Sequence, residues 1–263
     1  MNIRQPAVAG TFYPGSPDTL QEMVTTLLAE AQPRDLSPKV MIVPHAGFIY
    51  SGPVAASAYR LLESMRDKIS RVVLLGPAHR VAVRGMAAPS VEAFATPLGN
   101  IPLDTDAIKT LSANRHVHMM DKAHQFEHSL EVQCPFLQQC LNDFKLIPIV
   151  VGDASPLAVA EVIDQLWGGD ETLILISSDL SHFHHYEEAC IRDSKTVKAI
   201  EQLNANLMGG QACGCYPVNG ILTVAQRRGM EVITLDVRNS YDTAGETVVD
   251  KNRVVGYGAF VIQ

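Results

Sequence analysis

The chain has 263 residues, of which 47% are hydrophobic and 19% are charged, and its formal net charge is -7. This hydrophobic fraction is enough for a sizeable buried core, and we expect one α/β domain spanning residues 1–263. The acidic balance and the absence of a dense basic run disfavour direct binding of nucleic acid.

The sequence contains no stretch of about 18 uninterrupted apolar residues, and its first residues lack the apolar segment of a signal peptide. We therefore expect a cytoplasmic protein without a membrane partner. Its five cysteines are an odd number in a chain with no export signal. This count argues against a disulfide framework and predicts mostly reduced thiols.

The predicted elements alternate between helices and strands along most of the chain. In chain order they are a helix over 17–31, a strand over 39–47, a helix over 52–65, a strand over 71–80, an inserted hairpin over 83–103, a helix over 127–141, a strand over 144–153, a helix over 155–167, a strand beginning at 171, helices over 186–203 and 218–228, and two closing β segments over 231–242 and 254–263. This alternation predicts an α/β fold with a mainly parallel central sheet flanked by helices. In such a fold, functional groups collect beyond the carboxyl ends of the strands.

Three of the predicted strands end in polar residues of the same kind. His45 and His79 each follow an apolar strand, and Asp179 and His182 follow a third. A single histidine after a strand is more often structural, but three at matching positions indicate convergence at one edge of the sheet. Neutral imidazole is the commonest metal ligand in proteins, and its second nitrogen needs a hydrogen-bonding partner. We expect Asp179 to be that partner.

Cys213 is the remaining candidate ligand. It lies in a glycine-rich loop just before a predicted helix, whose N-terminus would favour the thiolate. One thiolate with two imidazoles suits iron(II), zinc or copper and disfavours magnesium and calcium. Spacing alone leaves the identity of the site open.

Seven segments of the chain resemble the Memo family in order and spacing. They are RQPAVAGTFYPG, VPHAGFIYSGPVAASAY, LLGPAHR, FEHSLEVQCPFLQ, ISSDLSHF, CGCYPVNG and the closing GYGAF. Bacterial and archaeal members of this family are labelled protein B of the AmmeMemoRadiSam system, and the animal relatives are known as mediators of cell motility. The resemblance implies a fold similar to the catalytic subunit of class III, non-haem iron extradiol dioxygenases.

The resemblance also implies roles for individual residues. It places the metal ligands at His45, His79 and Cys213, and it places His182 where those dioxygenases have an acid/base residue. The dioxygenases use two histidines and a carboxylate, whereas this chain has a cysteine in the third place. Because of this difference, the resemblance does not by itself predict ring-cleavage activity. A thiolate gives the metal more electron density than a carboxylate and is itself oxidisable.

The leading hypothesis is an iron(II)-dependent redox enzyme acting on an unknown small-molecule or peptide substrate. His182 is the expected acid/base, oriented by Asp179, in a pocket that Tyr50, Glu131 and His128 border. Two alternatives stay open: a ligand- or peptide-binding adaptor that uses the same pocket without chemistry, and a zinc-dependent hydrolase. The system label implies a functional association with a radical SAM protein, and the sequence leaves the oligomeric state open.

Two other patterns carry less weight. His124 and His128 are four residues apart, which predicts either a second metal site or, as we prefer, the polar face of a helix beside the cleft. Cys215 forms a C-x-C pair with Cys213, but no second pair completes a structural zinc set, so Cys215 is interpreted as a bystander. The glycine-rich loop around them lacks the lysine of a phosphate-binding loop.

Overall fold

The computed structural model describes residues 2–263, and every helix and strand lies within that range. The strands in chain order are β1 (Ile3–Arg4), β2 (Val40–Val43), β3 (Arg71–Pro77), β4 (Met86–Ala88), β5 (Ala93–Thr96), β6 (Gly99–Pro102), β7 (Val117–Met119), β8 (Lys145–Val151), β9 (Thr172–Ser177), β10 (His182–His184), β11 (Val232–Asn239) and β12 (Val254–Ile262). The helices are α1 (Pro17–Glu30), α2 (Phe48–Tyr59), α3 (Thr105–Leu111), α4 (Asp121–Gln125), α5 (His128–Glu131), α6 (Cys134–Cys140), α7 (Pro156–Gln165), α8 (Tyr186–Glu201), α9 (Cys215–Arg228) and α10 (Ser240–Ala244).

A mixed sheet forms the centre of the fold. Its strand order is β10-β12-β2-β9-β3-β8-β4-β7, and β11 pairs with β12 beside this path. The four central strands β2, β9, β3 and β8 are parallel to one another, while β12 is antiparallel to β2 and β4 is antiparallel to β8. The α/β prediction is therefore confirmed, with the correction that the parallel part is the middle of a mixed sheet.

The central strands are buried on both faces because helices cover the sheet. Every residue of β2 and β9 is buried, as expected for near-continuous apolar parallel strands. Helices α1, α2, α6 and α10 form one group, in which α2 contacts β2, β11 and β12. Helices α7 and α9 pack on each other, and α9 contacts β3 and β9.

The predicted insertion over 83–103 divides between two sheets. Strands β5 and β6 form an antiparallel hairpin whose register runs from Ala93 opposite Pro102 to Thr96 opposite Gly99. Strand β1 adds to this hairpin in parallel and forms a separate three-stranded sheet. Strand β4, however, belongs to the central sheet. The hairpin prediction thus holds for the second half of the insertion.

The helix predicted over 127–141 is two short helices, α5 and α6. Pro135 lies in the first turn of α6. Proline has no backbone N–H to continue the hydrogen bonds of a preceding helix, but it is tolerated where a new helix begins. The helix predicted over 52–65 instead begins at Phe48, as α2, and continues into a 3-10 helix over Arg60–Met65.

Parallel pairing brings the ends of three strands to one edge of the sheet. Strands β2 and β3 both pair with β9 in parallel, so the residues that follow all three strands lie next to one another. Among residues 2–263, no helix combines the length and the apolar character needed to cross a membrane.

Candidate metal centre

Three potential metal ligands meet at the carboxyl edge of the central strands. His45 follows β2, His79 follows β3, and Cys213 precedes α9. Their donor atoms all lie within 4.8 Å of one another, and Cys213 Sγ is 3.3 Å from His45 Nε2. The structure therefore brings together the three residues that the sequence singled out.

The tautomer of His45 follows from its hydrogen bonds. The Oγ of Ser177 donates its only hydrogen to the carbonyl of Ser129 at 2.6 Å. The same Oγ lies 2.9 Å from His45 Nδ1 and must therefore accept a hydrogen from it. His45 is 1% exposed, and its burial lowers its pKa to about 3, with a further contribution from the nearby His79. The ring is neutral, and its Nε2 lone pair is free to bind a cation beside Cys213.

His79 is fixed by Glu127 through two hydrogen bonds. The Nδ1 of His79 lies 2.8 Å from Glu127 Oε1, and the backbone N–H of His79 donates to Oε2 at 2.6 Å. Burial opposes ionisation of Glu127, but the hydrogen bonds and charge of His79 outweigh it and lower the pKa of Glu127 to about 2. An ionised carboxylate only accepts, so Nδ1 of His79 carries a hydrogen, and Nε2 is the ring nitrogen that can bind a metal ion.

Sequence reasoning did not identify Glu127 as the partner of His79. The sequence signal is an acidic residue at a helix start, since Glu127 is the N-cap of α5 and accepts from the backbone N–H of Ser129 at 2.9 Å. The helix predicted over 127–141 starts at this residue, but a helix start does not indicate which distant side chain Glu127 contacts. Glu127 forms with His79 the carboxylate–histidine pair that commonly supports a bound metal ion.

Asp179 binds the backbone around the centre and not an imidazole ring. Its Oδ1 accepts from the backbone N–H of His45 at 2.7 Å, and its own backbone N–H donates to Cys213 Sγ at 3.3 Å. Burial raises the pKa of the Asp179 carboxyl. The predicted bond from Asp179 to a ligand imidazole is thus corrected: Asp179 fixes the main-chain positions of two ligand residues.

Cys213 is a half-buried thiol in the metal-free protein. Burial raises its pKa above the ordinary range of a thiol, and the nearby charge of Asp179 raises it further. This reverses the expectation that the start of α9 favours the thiolate. A coordinated cation removes the thiol proton, so Cys213 becomes a thiolate when a metal binds.

His182 lies beside the same centre. Its ring offers a donor atom that forms a set with one donor atom of Asp179 and one of Cys213, and these three atoms lie within 4.8 Å of one another. The Nδ1 of His182 is 2.9 Å from the carbonyl oxygen of Leu180, which can only accept, so Nδ1 carries a hydrogen and Nε2 is free. The ring is therefore oriented by Leu180, and the expected orientation by Asp179 is corrected. A register shift between His182 and His184, with φ of 62° at Phe183, marks a bulge of the kind that redirects side chains.

A fourth imidazole, that of His128, borders the centre as predicted. Its ring stacks on His79 with 4.6 Å between the centroids and lies 5.6 Å from the ring of His45. Burial lowers the pKa of His128 to about 4, and the nearby His45 contributes to this decrease. The buried Nδ1 of His128 has no hydrogen-bond partner among residues 2–263.

The comparisons with known proteins identify the family of this chain. A model of the family of Memo-like proteins matches residues 4–261. The chain belongs to the Memo family. A MEMO1 family protein of Aquifex aeolicus is 36% identical, with 98% of each chain covered. Its counterpart in Sulfolobus acidocaldarius is 31% identical over 97% of each chain, and one in Methanosarcina barkeri is 33% identical over 99% of this chain and 100% of the relative.

The fold is also found among solved structures. An uncharacterized protein from Escherichia coli K12 is similar to this Memo protein with a TM-score of 0.55 and 12% sequence identity. The match covers 84% of this chain and 98% of the Escherichia coli chain. At this identity the likeness concerns the fold alone, which it supports over most of the chain.

The predicted pocket residues of the Memo protein divide into two groups. Tyr50 is half-buried in the first turn of α2, the helix that begins three residues after His45. Glu131, in contrast, is 1% exposed and does not border the cleft. Its carboxylate accepts hydrogen bonds from four donors of the N-terminal segment: Arg4 Nη1 at 2.6 Å, Ala7 N at 2.8 Å, Val8 N at 2.9 Å and Tyr13 Oη at 2.6 Å. The assignment of Glu131 to the pocket was therefore wrong.

The alternative metal site at His124 and His128 is not formed. The Nε2 of His124 lies 3.0 Å from the carbonyl of Ala87, and its ring is 6.0 Å from that of Phe94. Among the described residues, three sets of three side chains have donor atoms within 4.8 Å of one another. His124 belongs to none of these sets, whereas His128 forms one with His79 and Glu127. All these groups share members with the His45, His79 and Cys213 set, so they describe one centre.

Proposed function

We propose that this Memo protein is a metal-dependent redox enzyme in which iron(II) is bound by His45, His79 and Cys213. The observation that carries this proposal is the pair of fixed tautomers. Ser177 and Glu127 accept the two Nδ1 hydrogens, which leaves the two Nε2 atoms and one sulfur as the candidate metal-binding atoms, all within 4.8 Å of one another. Two imidazoles with one thiolate suit iron(II), zinc or copper.

The surrounding residues support chemistry at the same place. When bound, iron(II) supplies Lewis acidity and one-electron redox chemistry at coordination positions that the three protein ligands leave open. His182 presents a free Nε2 beside Cys213 and Asp179, and its Nδ1 hydrogen stays on the carbonyl of Leu180. His182 is thus suited to accept a proton from a substrate and return it. The resemblance of the sequence to the Memo family implies a fold similar to that of class III extradiol dioxygenases, and from this implication we infer redox chemistry on a small-molecule or peptide substrate.

The first experiment measures the metal content of protein purified without oxygen. We expect about one iron ion per chain by elemental analysis. The candidate ligand sets among the described residues share His79 or Cys213, so they can hold one metal ion at one centre. His45→Ala, His79→Ala and Cys213→Ser should each lose that iron. The matched controls are His118→Ala and Cys190→Ser, which change exposed residues outside the centre and should keep it.

Retention of full metal occupancy by His45→Ala contradicts the ligand assignment. Stoichiometric zinc without iron, in anaerobic protein, contradicts the redox proposal and favours the hydrolase alternative. EPR of the iron-loaded protein identifies the metal in its paramagnetic states. Oxygen consumption in the presence of a reductant supports the enzyme hypothesis if His79→Ala abolishes it. If the iron-loaded protein consumes no oxygen, the result favours the adaptor alternative.

A further inference from the structure

The segment that carries His182 has an unusual backbone conformation. Phe183, directly after His182, has a φ of 62°, in the left-handed region that residues other than glycine rarely adopt. The pairing of β10 with β12 also shifts register between His182 and His184. A strained conformation of this kind persists only where the surrounding structure fixes it. Contacts from neighbouring elements must therefore hold residues 180–184 in place.

Strand β12 supplies the first of these contacts, through Gly256. The backbone N–H of Leu180 donates to the carbonyl of Gly256, and the backbone N–H of Gly256 donates to the carbonyl of Ser181, both at 2.8 Å. The carbonyl of Leu180 in turn lies 2.9 Å from His182 Nδ1. The orientation of the His182 ring thus depends on the position of the main chain at Leu180 and Ser181.

Helix α8 supplies the second contact, through the carboxylate of Asp193. The Oδ1 of Asp193 accepts from the backbone N–H of Ser181 at 3.0 Å. Asp193 is 4% exposed, and within residues 2–263 it forms no ion pair. Burial raises the pKa of its carboxyl. A buried carboxyl is costly unless it is hydrogen-bonded, so the bond to Ser181 is a main compensation for this burial.

The carboxylate of Asp193 also packs directly against Gly256. A Cβ built at Gly256 would overlap Asp193 Oδ2 and would lie 2.5 Å from Asp193 Cγ. A residue with a side chain at position 256 would therefore displace the carboxylate. The main chain before His182 is fixed from two sides, by β12 and by α8, and both contacts depend on the same close fit.

We propose that Asp193 is a positioning residue for His182. By accepting from the N–H of Ser181, Asp193 holds the main chain so that the carbonyl of Leu180 accepts the Nδ1 hydrogen of His182. This leaves Nε2 as the ring nitrogen that can exchange a proton. The catalytic meaning of the role rests on the proposed function, in which His182 is the acid/base. The positioning itself needs no metal and is tested without one.

The experiment records the ring-nitrogen NMR signals of His182 in metal-free protein that carries ¹⁵N-labelled histidine. At about pH 8 an unperturbed imidazole is neutral, so its signals report the tautomer. The signals that disappear in His182→Gln are those of His182. In the wild type we expect the tautomer with hydrogen on Nδ1, because the carbonyl of Leu180 can only accept.

Asp193→Ala releases Ser181 from α8, and we expect the His182 signals to shift towards the average of two exchanging tautomers. Asp193→Asn keeps an acceptor for the N–H of Ser181 and should restore the wild-type signals. Gly256→Ala displaces the carboxylate without changing Asp193, so it should cause the same shift as Asp193→Ala.

The matched control is Asp104→Ala. Asp104 is a second buried carboxylate, 6% exposed, that accepts from a backbone N–H, that of Ala107 at 3.1 Å. It is the N-cap of α3, so its loss should leave the His182 signals unchanged. Circular dichroism verifies that each variant folds.

The inference is overturned if the His182 signals are unchanged in Asp193→Ala, shift equally in Asp104→Ala, or are not restored in Asp193→Asn. If Asp193→Ala does not fold, Gly256→Ala decides the question, and unchanged signals in that variant overturn the inference. Because the tautomer is measured in metal-free protein, failure of the iron or redox proposal does not alter this result, and the two failures are distinguishable.

Discussion

At the residue scale, the two candidate ligand imidazoles donate their Nδ1 hydrogens to partners of different charge. His45 donates its Nδ1 hydrogen to the neutral hydroxyl of Ser177, whereas His79 donates to the ionised carboxylate of Glu127. Gln133 completes the first network, since its Nε2 donates to Ser177 Oγ at 2.9 Å. A carboxylate partner makes an imidazole a stronger donor to a metal, so His79 is expected to be the more basic ligand.

The role of Glu127 can be tested with Glu127→Gln. An amide of the same shape retains one acceptor but loses the charge that polarises His79, and loss of such a partner typically weakens metal binding about 10- to 100-fold. Competition with a chelator of known affinity measures the change. Glu22→Gln, at an exposed position on α1, is the matched control and should bind metal like the wild type. Unchanged affinity in Glu127→Gln would show that the carboxylate does not tune His79.

At the scale of elements, the loop before α9 approaches the end of β9 so closely that a side chain has no room. A Cβ built at Gly214 would lie 2.7 Å from the carbonyl oxygen of Ser177 and 2.7 Å from Ser178 Cβ. The backbone N–H of Gly214 also donates to Ser178 Oγ at 2.9 Å. This close contact sets the position of the neighbouring Cys213 relative to the histidines.

Gly214→Ala should therefore move Cys213 away from the other two ligands. Overpacking of this kind costs about 1–3 kcal/mol of stability, and we expect weaker metal binding together with a lower urea midpoint. Gly209→Ala lies in the same loop, where an added Cβ meets nothing within 4 Å, and it serves as the control. Chelator competition on both variants decides the matter: if Gly214→Ala binds metal as well as Gly209→Ala does, the close contact does not position the sulfur.

At the scale of the whole molecule, the fold followed from the sequence more fully than the site did. Apolar strands alternating with helices predict parallel strands, and parallel strands bring His45 and His79 to one edge. The choice of Cys213 as the third candidate ligand followed from its place in a glycine-rich loop before a predicted helix and from the family resemblance. The approach of His45 to His79 is predictable because it depends on the apolar pattern of the strands and on the rule that parallel strands end at the same edge of a sheet.

The supporting carboxylates were not predictable in the same way. Glu127 and Glu131 are four residues apart, yet one binds His79 across 48 positions of the chain and the other binds Arg4 across 127. Which carboxylate faces the centre depends on how the end of β3 and the N-terminal segment pack against α5. These long-range contacts have no periodic signal in the sequence, so the assignment of Glu131 to the pocket was wrong and Glu127 was missed.

Buried histidines also make the stability of the whole metal-free molecule depend on pH. Burial lowers the pKa of His124 to about 4 from an ordinary value of 6.5. Below pH 6.5 the unfolded chain takes up a proton at this residue that the folded protein does not, so stability is lost as the pH falls towards 4. The pKa values of His45 and His128, lowered by burial to about 3 and about 4, act in the same direction.

We therefore expect the urea midpoint of metal-free protein to be lower at about pH 5 than at about pH 7.5, because the loss begins near the unfolded pKa of 6.5. His124→Gln keeps a side-chain N–H for the carbonyl of Ala87 but removes the titrating group, so its midpoint should fall less over this interval. His118→Gln, at an exposed position, should show the full wild-type decrease. An equal decrease in His124→Gln and wild type would mean that protonation of His124 is not coupled to unfolding.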